Sequence, residues 1–196
     1  MIMSNKIKIL LGILAIIVAI VIWRVYAINF NYRFTEIKKD KVYRSAAIPP
    51  EKLESYLTEY GIKTIVDLRI GNFQDELNGG NAEQILAEQE VVDGMDGVKH
   101  INIPTVQVPA DSTVMNFYKV MSDSTNYPVL IHCHDGIGRA VLFGALYNIE
   151  FEGYSNEEAR QNTRMIVPFS NFGKDSKKGK YLINYKKRLG SKDSLH

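Results

Sequence analysis

From Ile9 to Trp23 no polar side chain interrupts the chain, and Lys6, Lys8 and Arg24 bracket the run. A hydrocarbon layer of about 30 Å needs ~20 apolar residues in a helix. Ile7 to Ile28 reaches that length if Lys8 and Arg24 snorkel from the ends. Trp23 and Tyr26 suit one interface. With no polar face, the run does not fit a helix lying on a soluble core. Three readings compete for residues 1–28: a single transmembrane anchor, a signal segment cleaved near Val25-Tyr26-Ala27, and a buried soluble helix, against which the missing polar face counts. Asn29 to Lys41 is polar with scattered aromatics and reads as a linker, which leaves residues 42–196 for the folded domain.

Beyond residue 41 short apolar runs alternate with stretches of helical spacing. Val42–Ala46 reads as a strand. Pro49-Pro50-Glu51 opens a helix, carried by Leu53, Tyr56, Leu57 and Tyr60 and ended by Gly61. Ile62–Leu68 reads as a central strand and Gly71 to Gly80 as a loop. A helix runs from Asn81 to about Val92, and Val98, Ile101 and Ile103 mark a strand ending at Pro104. The loop Thr105–Asp111 leads to a helix bearing Val114, Phe117, Tyr118 and Met121. The strand Val129–His132 follows, then a buried helix ended by Gly153, then a helix capped by Ser155 and Glu158. Tyr181, Ile183 and Tyr185 suggest a last helix in a lysine-rich segment, with a frayed tail. This alternation predicts an α/β fold: a central, mainly parallel sheet flanked by helices, plus the N-terminal transmembrane helix.

Composition adds little beyond a folded core: 45% of the 196 residues are hydrophobic and 23% charged. The formal net charge of +2 gives no case for nucleic acid as a partner. A single cysteine excludes an internal disulfide. No cofactor is expected, and four scattered histidines with that one cysteine show no metal-ligand spacing. His100 reads as a surface or edge residue.

The chemistry concentrates at the end of the strand Val129–His132. Cys133 follows it, then His134, Asp135, Gly136, Ile137 and Gly138, and Arg139 opens the apolar helix. A loop entering a helix can turn several backbone N–H groups to one point, where the helix N-terminus adds positive potential. Gly136 and Gly138 permit the required backbone. The product is a cradle for a phosphate-like dianion, built from residues 134 to 139. Arg139 can close it with a bidentate pair. Cys133 at its floor would meet the phosphoryl group as a thiolate and attack in line.

This stretch resembles the signature of the protein tyrosine phosphatase superfamily: His-Cys, five residues, then Arg. It is most similar to the small, dual-specificity-like bacterial members. Val42-Tyr43-Arg44-Ser45-Ala46, the run Tyr60 to Arg69, and Ile103-Pro104 extend the resemblance over most of residues 40–165. It implies that Cys133 is the nucleophile, Arg139 the phosphate clamp, and His132 a neighbour that helps hold the thiolate low. It also implies that Arg69 braces loops near the site, although a surface ion pair fits the residue alone equally well. The family usually has Ser or Thr after the arginine, to help the sulfur leave. Here Ala140 stands instead, as in the phosphatases of regenerating liver, so slow breakdown of the intermediate is expected.

The family's proton donor, an aspartate roughly thirty residues before the cysteine, has no counterpart in Ile101-Asn102-Ile103. Asp111 is one candidate, and it serves equally as a helix cap. Asp135 is the other. The surrounding Cys133-His134-Asp135-Gly136 resembles the loop of the myotubularin-type lipid phosphatases.

The expected function is hydrolysis of phosphotyrosine, with phosphoserine and phosphothreonine as further substrates, through a cysteinyl-phosphate. A phosphoinositide or phospholipid phosphatase is one alternative, favoured by the membrane segment and Asp135. A phosphate-binding module with little turnover is another, suggested by Ala140 and the absent aspartate. The expected partners are a phosphorylated protein or phosphoester and the membrane. A short N-terminal tail kept inside would place the domain outside the cytoplasm. Arg24, Arg33, Lys38, Lys39 and Lys41 argue for the opposite orientation.

Overall fold

The computed structural model describes residues 4–72, 80–166 and 172–188. Most of the expected loop Gly71 to Gly80 and the tail beyond residue 188 lie outside them. The apolar N-terminal run forms one helix, α1 (Asn5–Asn29). Its first 19 residues, Asn5–Trp23, are long and apolar enough to cross a membrane, and none of that stretch is buried in the protein.

The domain is built on a five-stranded sheet ordered β1-β2-β5-β3-β4. The strands are β1 (Thr35–Lys38), β2 (Val42–Ser45), β3 (Thr64–Asp67), β4 (Lys99–Asn102) and β5 (Val129–His132). β5 pairs in parallel with β2 on one side and β3 on the other, and β4 continues the parallel set from β3. β1 runs antiparallel on the β2 edge. It falls inside the stretch the polar pattern assigns to a linker. Two side chains explain its docking. Phe34 stacks on Tyr43 at 5.3 Å and meets Tyr60 at 4.4 Å. Ile37 presses against the central helix so closely that a Cβ on Gly144 would lie 2.8 Å from its Cδ1.

Strand alternation divides the core in two. Val129 and Ile131 of β5 join Val66, Phe117, Phe143 and Leu146 on one face of the sheet. Leu130 joins Ile65, Leu53, Leu57 and Val92 on the other. α2 (Pro50–Glu59) and α3 (Ala82–Asp93) cover that second face. The first is covered by α4 (Asp111–Ser122) and by α5 (Arg139–Phe151), whose side chains are buried almost all round. An all-round apolar helix belongs inside a core, where each large aliphatic or aromatic side chain contributes about 1.5–3 kcal/mol. α6 (Asn156–Ile166) begins on the expected capping box: the Ser155 N–H donates to Glu158 at 2.8 Å, and the Glu158 N–H donates back to Ser155 Oγ at 3.3 Å. α7 (Lys177–Ile183) packs Leu182 into the same core. The α5 N-terminus therefore meets the carboxyl end of β5 at the middle of the sheet, where parallel α/β folds bind ligands.

Candidate functional site

Cys133 sits at the junction of β5 and α5 and is 2% exposed. The loop from it to Arg139 is held from outside. Gly136 takes a φ of +68°, and a Cβ there would lie 2.5 Å from Ala46 N. Only glycine fits that approach to the end of β2. Arg44 donates to the Gly136 carbonyl at 3.0 Å, the Ala47 N–H donates to the His134 carbonyl at 3.0 Å, and Arg33 donates to the Asp135 carbonyl at 2.5 Å. With the carbonyls drawn outward, the N–H groups of His134 to Gly138 donate to no acceptor among the described residues. Successive backbone N–H groups without protein acceptors, next to a helix N-terminus, are suited to an anion.

Arg139 is 2% exposed and donates from Nη1 to the carbonyls of Leu68 (3.2 Å) and Thr105 (3.3 Å). These contacts tie Nη1 to the segments that follow β3 and β4. Arg44 is also buried. Burial pulls its guanidinium down to about 10, with Cys133 acting against that fall. Ala140 is fully buried, and Ile137 reaches solvent.

Behind His132 lies a buried charge network. Arg69 grips Asp67 through Nε and Nη2 at 2.9 Å each, and Nη2 also donates to Glu88 at 2.7 Å. His132 Nε2 stands 2.8 Å from Glu88 Oε1, in ion-pair contact rather than an aligned hydrogen bond. His100 corrects the expectation of a surface residue. Its strand is at the sheet edge, but its side chain is 1% exposed, between Gln89 at 2.9 Å and Glu88 at 3.1 Å. The Arg69 pair is likewise buried rather than a surface ion pair. Burial pushes the Glu88 carboxyl up, but His132, His100 and Arg69 outweigh it and hold it down to about 2. Burial opposes the charged form of His100 too, and Asp67 and Glu88 override it, lifting its imidazole to about 9. Side-chain ligand atoms of Asp67, Glu88, His100 and His132 lie within 4.8 Å of one another, a grouping the sequence spacing did not reveal. The Arg69 guanidinium already donates to both carboxylates, so these four residues and Arg69 form one buried charge network.

The two candidate acids are placed apart from each other. Asp111 opens α4 with its side chain 87% exposed, paired with Arg188. The helix N-cap is Ala110, so Asp111 is a first-turn acid rather than the cap itself. Asp135 is 52% exposed and faces His134 Nδ1 at 3.0 Å. The loop before α4 does reach the cradle, but through Gln107. A Cβ on Gly138 would lie 3.1 Å from Gln107 Oε1 and 2.9 Å from Lys178 Nζ. Lys178 is 4% exposed and comes from α7. Sequence reasoning missed it. The available signal was its position four residues before Leu182, on the buried face of α7.

Comparison with known proteins agrees with this geometry. The yeast (S. cerevisiae) PP-IP phosphatase SIW14 core superposes with a TM-score of 0.57 at 16% identity, over 78% of this chain and 85% of that one. TpbA of P. aeruginosa superposes with 0.55 at 21% identity, over 76% and 82%. At these identities the likeness speaks for the fold. A rice (Oryza sativa subsp. japonica) protein named "Probable NAD kinase 2, chloroplastic" is 31% identical over 99 residues, which is 50% of this chain but only 9% of that protein. The family model described as "DSP-PTPase phosphatase fused to NAD+ Kinase" matches residues 23–177, a span that takes in the whole sheet and the Cys133–Arg139 loop, and the chain therefore belongs to this family of cysteine-based phosphatases of the protein tyrosine phosphatase superfamily.

Proposed function

We propose that the chain is a membrane-anchored phosphatase that hydrolyses phosphotyrosine through a cysteinyl-phosphate on Cys133. The observation that carries this reading is a run of backbone N–H groups, His134 to Gly138, that find no acceptor among the described residues, between a buried cysteine and a buried Arg139. Cys133 Sγ attacks phosphorus, the N–H groups and Arg139 take up the charge on the equatorial oxygens, and the ester oxygen leaves. Water then cleaves the S–P bond. Ala140 offers no hydroxyl to the departing sulfur, so the second step is the slower one. TpbA has been captured with phosphotyrosine, which supports an aryl phosphate as substrate. α1 supplies the anchor.

Rapid-mixing kinetics with an aryl phosphate test both steps. A burst of about one phenolate per chain followed by slow turnover is the expected result, and Ala140→Ser should speed the slow phase. Linear release from time zero would overturn the rate order. Asp111→Asn is expected to leave kcat/KM on phenyl phosphate within about twofold. A loss on the order of 100-fold would instead make Asp111 the proton donor.

A second reading is a more highly charged small-molecule phosphoester. It is favoured by Lys178, which adds a cation that the loop itself lacks, and SIW14 is described as a PP-IP phosphatase. Relative kcat/KM on a phosphotyrosine peptide and an inositol polyphosphate separates the two.

A further inference from the structure

We propose that Lys178 is a catalytic residue that contacts the bound phosphoryl group and gives its proton to the leaving ester oxygen. The proposal rests on the phosphatase reading above and names the donor that reading lacks.

Three observations lead to it. The first is position. Lys178 Nζ stands 2.9 Å from where a Cβ on Gly138 would be, against the last residue of the loop before Arg139. It shares that spot with Gln107, on the loop leading to α4. The second is rigidity. Leu182 anchors α7 in the core, Ser176 caps it by accepting from the Gly179 N–H at 3.0 Å, and Asn156 donates to the carbonyls of Ile183 (3.1 Å) and Tyr185 (2.7 Å). Beyond the helix, Glu150 of α5 accepts from Tyr185 Oη at 2.6 Å and from the Arg188 N–H at 3.0 Å. The lysine is thus delivered by a segment fastened to the catalytic helix itself. The third is the lack of an alternative partner. Lys178 pairs with no carboxylate among the described residues, and its Nζ lies over the Phe172 ring, 5.5 Å from the centroid. Asp111 and Asp135 are engaged elsewhere.

Burial lowers the Lys178 ammonium from its usual range, Cys133 acts against that and Arg139 adds to it. This brings a lysine closer to a proton-transfer role. The family match ends at residue 177, one residue short of it.

The Cys133 thiolate forms the S–P bond while the P–O ester bond breaks. Its electron pair goes to the leaving oxygen, which takes a proton from Nζ and departs as the alcohol, leaving Lys178 as a neutral amine. In the second step water attacks phosphorus and gives its proton to that amine. The S–P bond breaks, and thiolate, ammonium and inorganic phosphate result.

The test uses the full chain in detergent with two esters: phenyl phosphate, whose leaving oxygen needs a proton, and difluoromethylumbelliferyl phosphate, whose leaving oxygen does not. Lys178→Ala should lose about 100-fold in kcat/KM on phenyl phosphate and less than about threefold in kcat/KM on the activated ester, because kcat/KM reports the first step and not the slower breakdown of the cysteinyl-phosphate. Lys178→Arg keeps the cation but holds its proton too tightly to give it up. It should follow Lys178→Ala on phenyl phosphate, yet keep wild-type inhibition by inorganic phosphate. Equal losses of kcat/KM on both esters, or full rescue by arginine, would overturn the proton transfer while leaving the phosphatase reading standing. If wild type hydrolyses neither ester, that reading falls and the proposal with it.

Discussion

Cys133→Ser is expected to lower kcat by at least ~10³-fold with little change in fold, because a serine hydroxyl has the shape of the thiol but not its nucleophilicity. The side chain is 2% exposed and ends a strand whose backbone pairing does not depend on it. Arg139→Lys should cost about 10²–10³-fold, comparable to losing one fixed donor to a developing oxyanion. A lysine cannot reproduce the planar fork, nor hold the carbonyls of Leu68 and Thr105 while facing the phosphoryl group. The two variants should part on binding. Cys133→Ser should retain the wild-type Kd for orthophosphate, since the N–H groups and Arg139 remain, whereas Arg139→Lys should weaken it by an order of magnitude or more. Steady-state kinetics and calorimetric titration with phosphate check both. Residual turnover in Cys133→Ser within tenfold of wild type would remove the cysteine from the chemistry.

Much of this site could be read along the chain because its parts are local. Strand, cysteine, glycine loop, arginine and apolar helix follow one another within two dozen residues, so the candidate loop shows without knowledge of distant partners. The core strands were equally legible, since β3 and β5 are short apolar runs buried on both faces. β1 was not. Its burial rests on Ile37 alone in a polar stretch, and a strand that gains its partner only at the sheet edge has no period to show. The roles of Arg69, Glu88 and His100 were hidden for another reason. Charged residues read as solvated unless their partners are known, and these three come from different elements. Lys178 was hidden among the lysines of the C-terminal segment.

The charge network behind His132 should be the most sensitive structural element outside the core. Removing one member of a buried ion cluster leaves the others uncompensated, at about 3–5 kcal/mol. Glu88→Ala is the strongest case. Its carboxylate meets Arg69, His100 and His132 together and is 2% exposed, so its loss strands the Arg69 and His100 charges beside His132. Thermal or urea unfolding of the chain from residue 29 onward should show that loss. Glu88→Gln should lose less, because it keeps the volume and one acceptor. The pH dependence gives an independent check. Glu88 is held below its ordinary 4.5, at about 2, so its contribution is complete above 4.5 and is lost as pH falls towards 2. His100 is raised above its ordinary 6.5, to about 9, so its contribution is complete below 6.5 and is lost as pH rises through 9. The network therefore stabilises most between those two ordinary values. Wild type should lose roughly 2–3 kcal/mol of this contribution between pH 6 and pH 10. His100→Gln, which has no charge to lose, should show a clearly smaller fall over the same range, and an unchanged slope in that variant would take His100 out of the network.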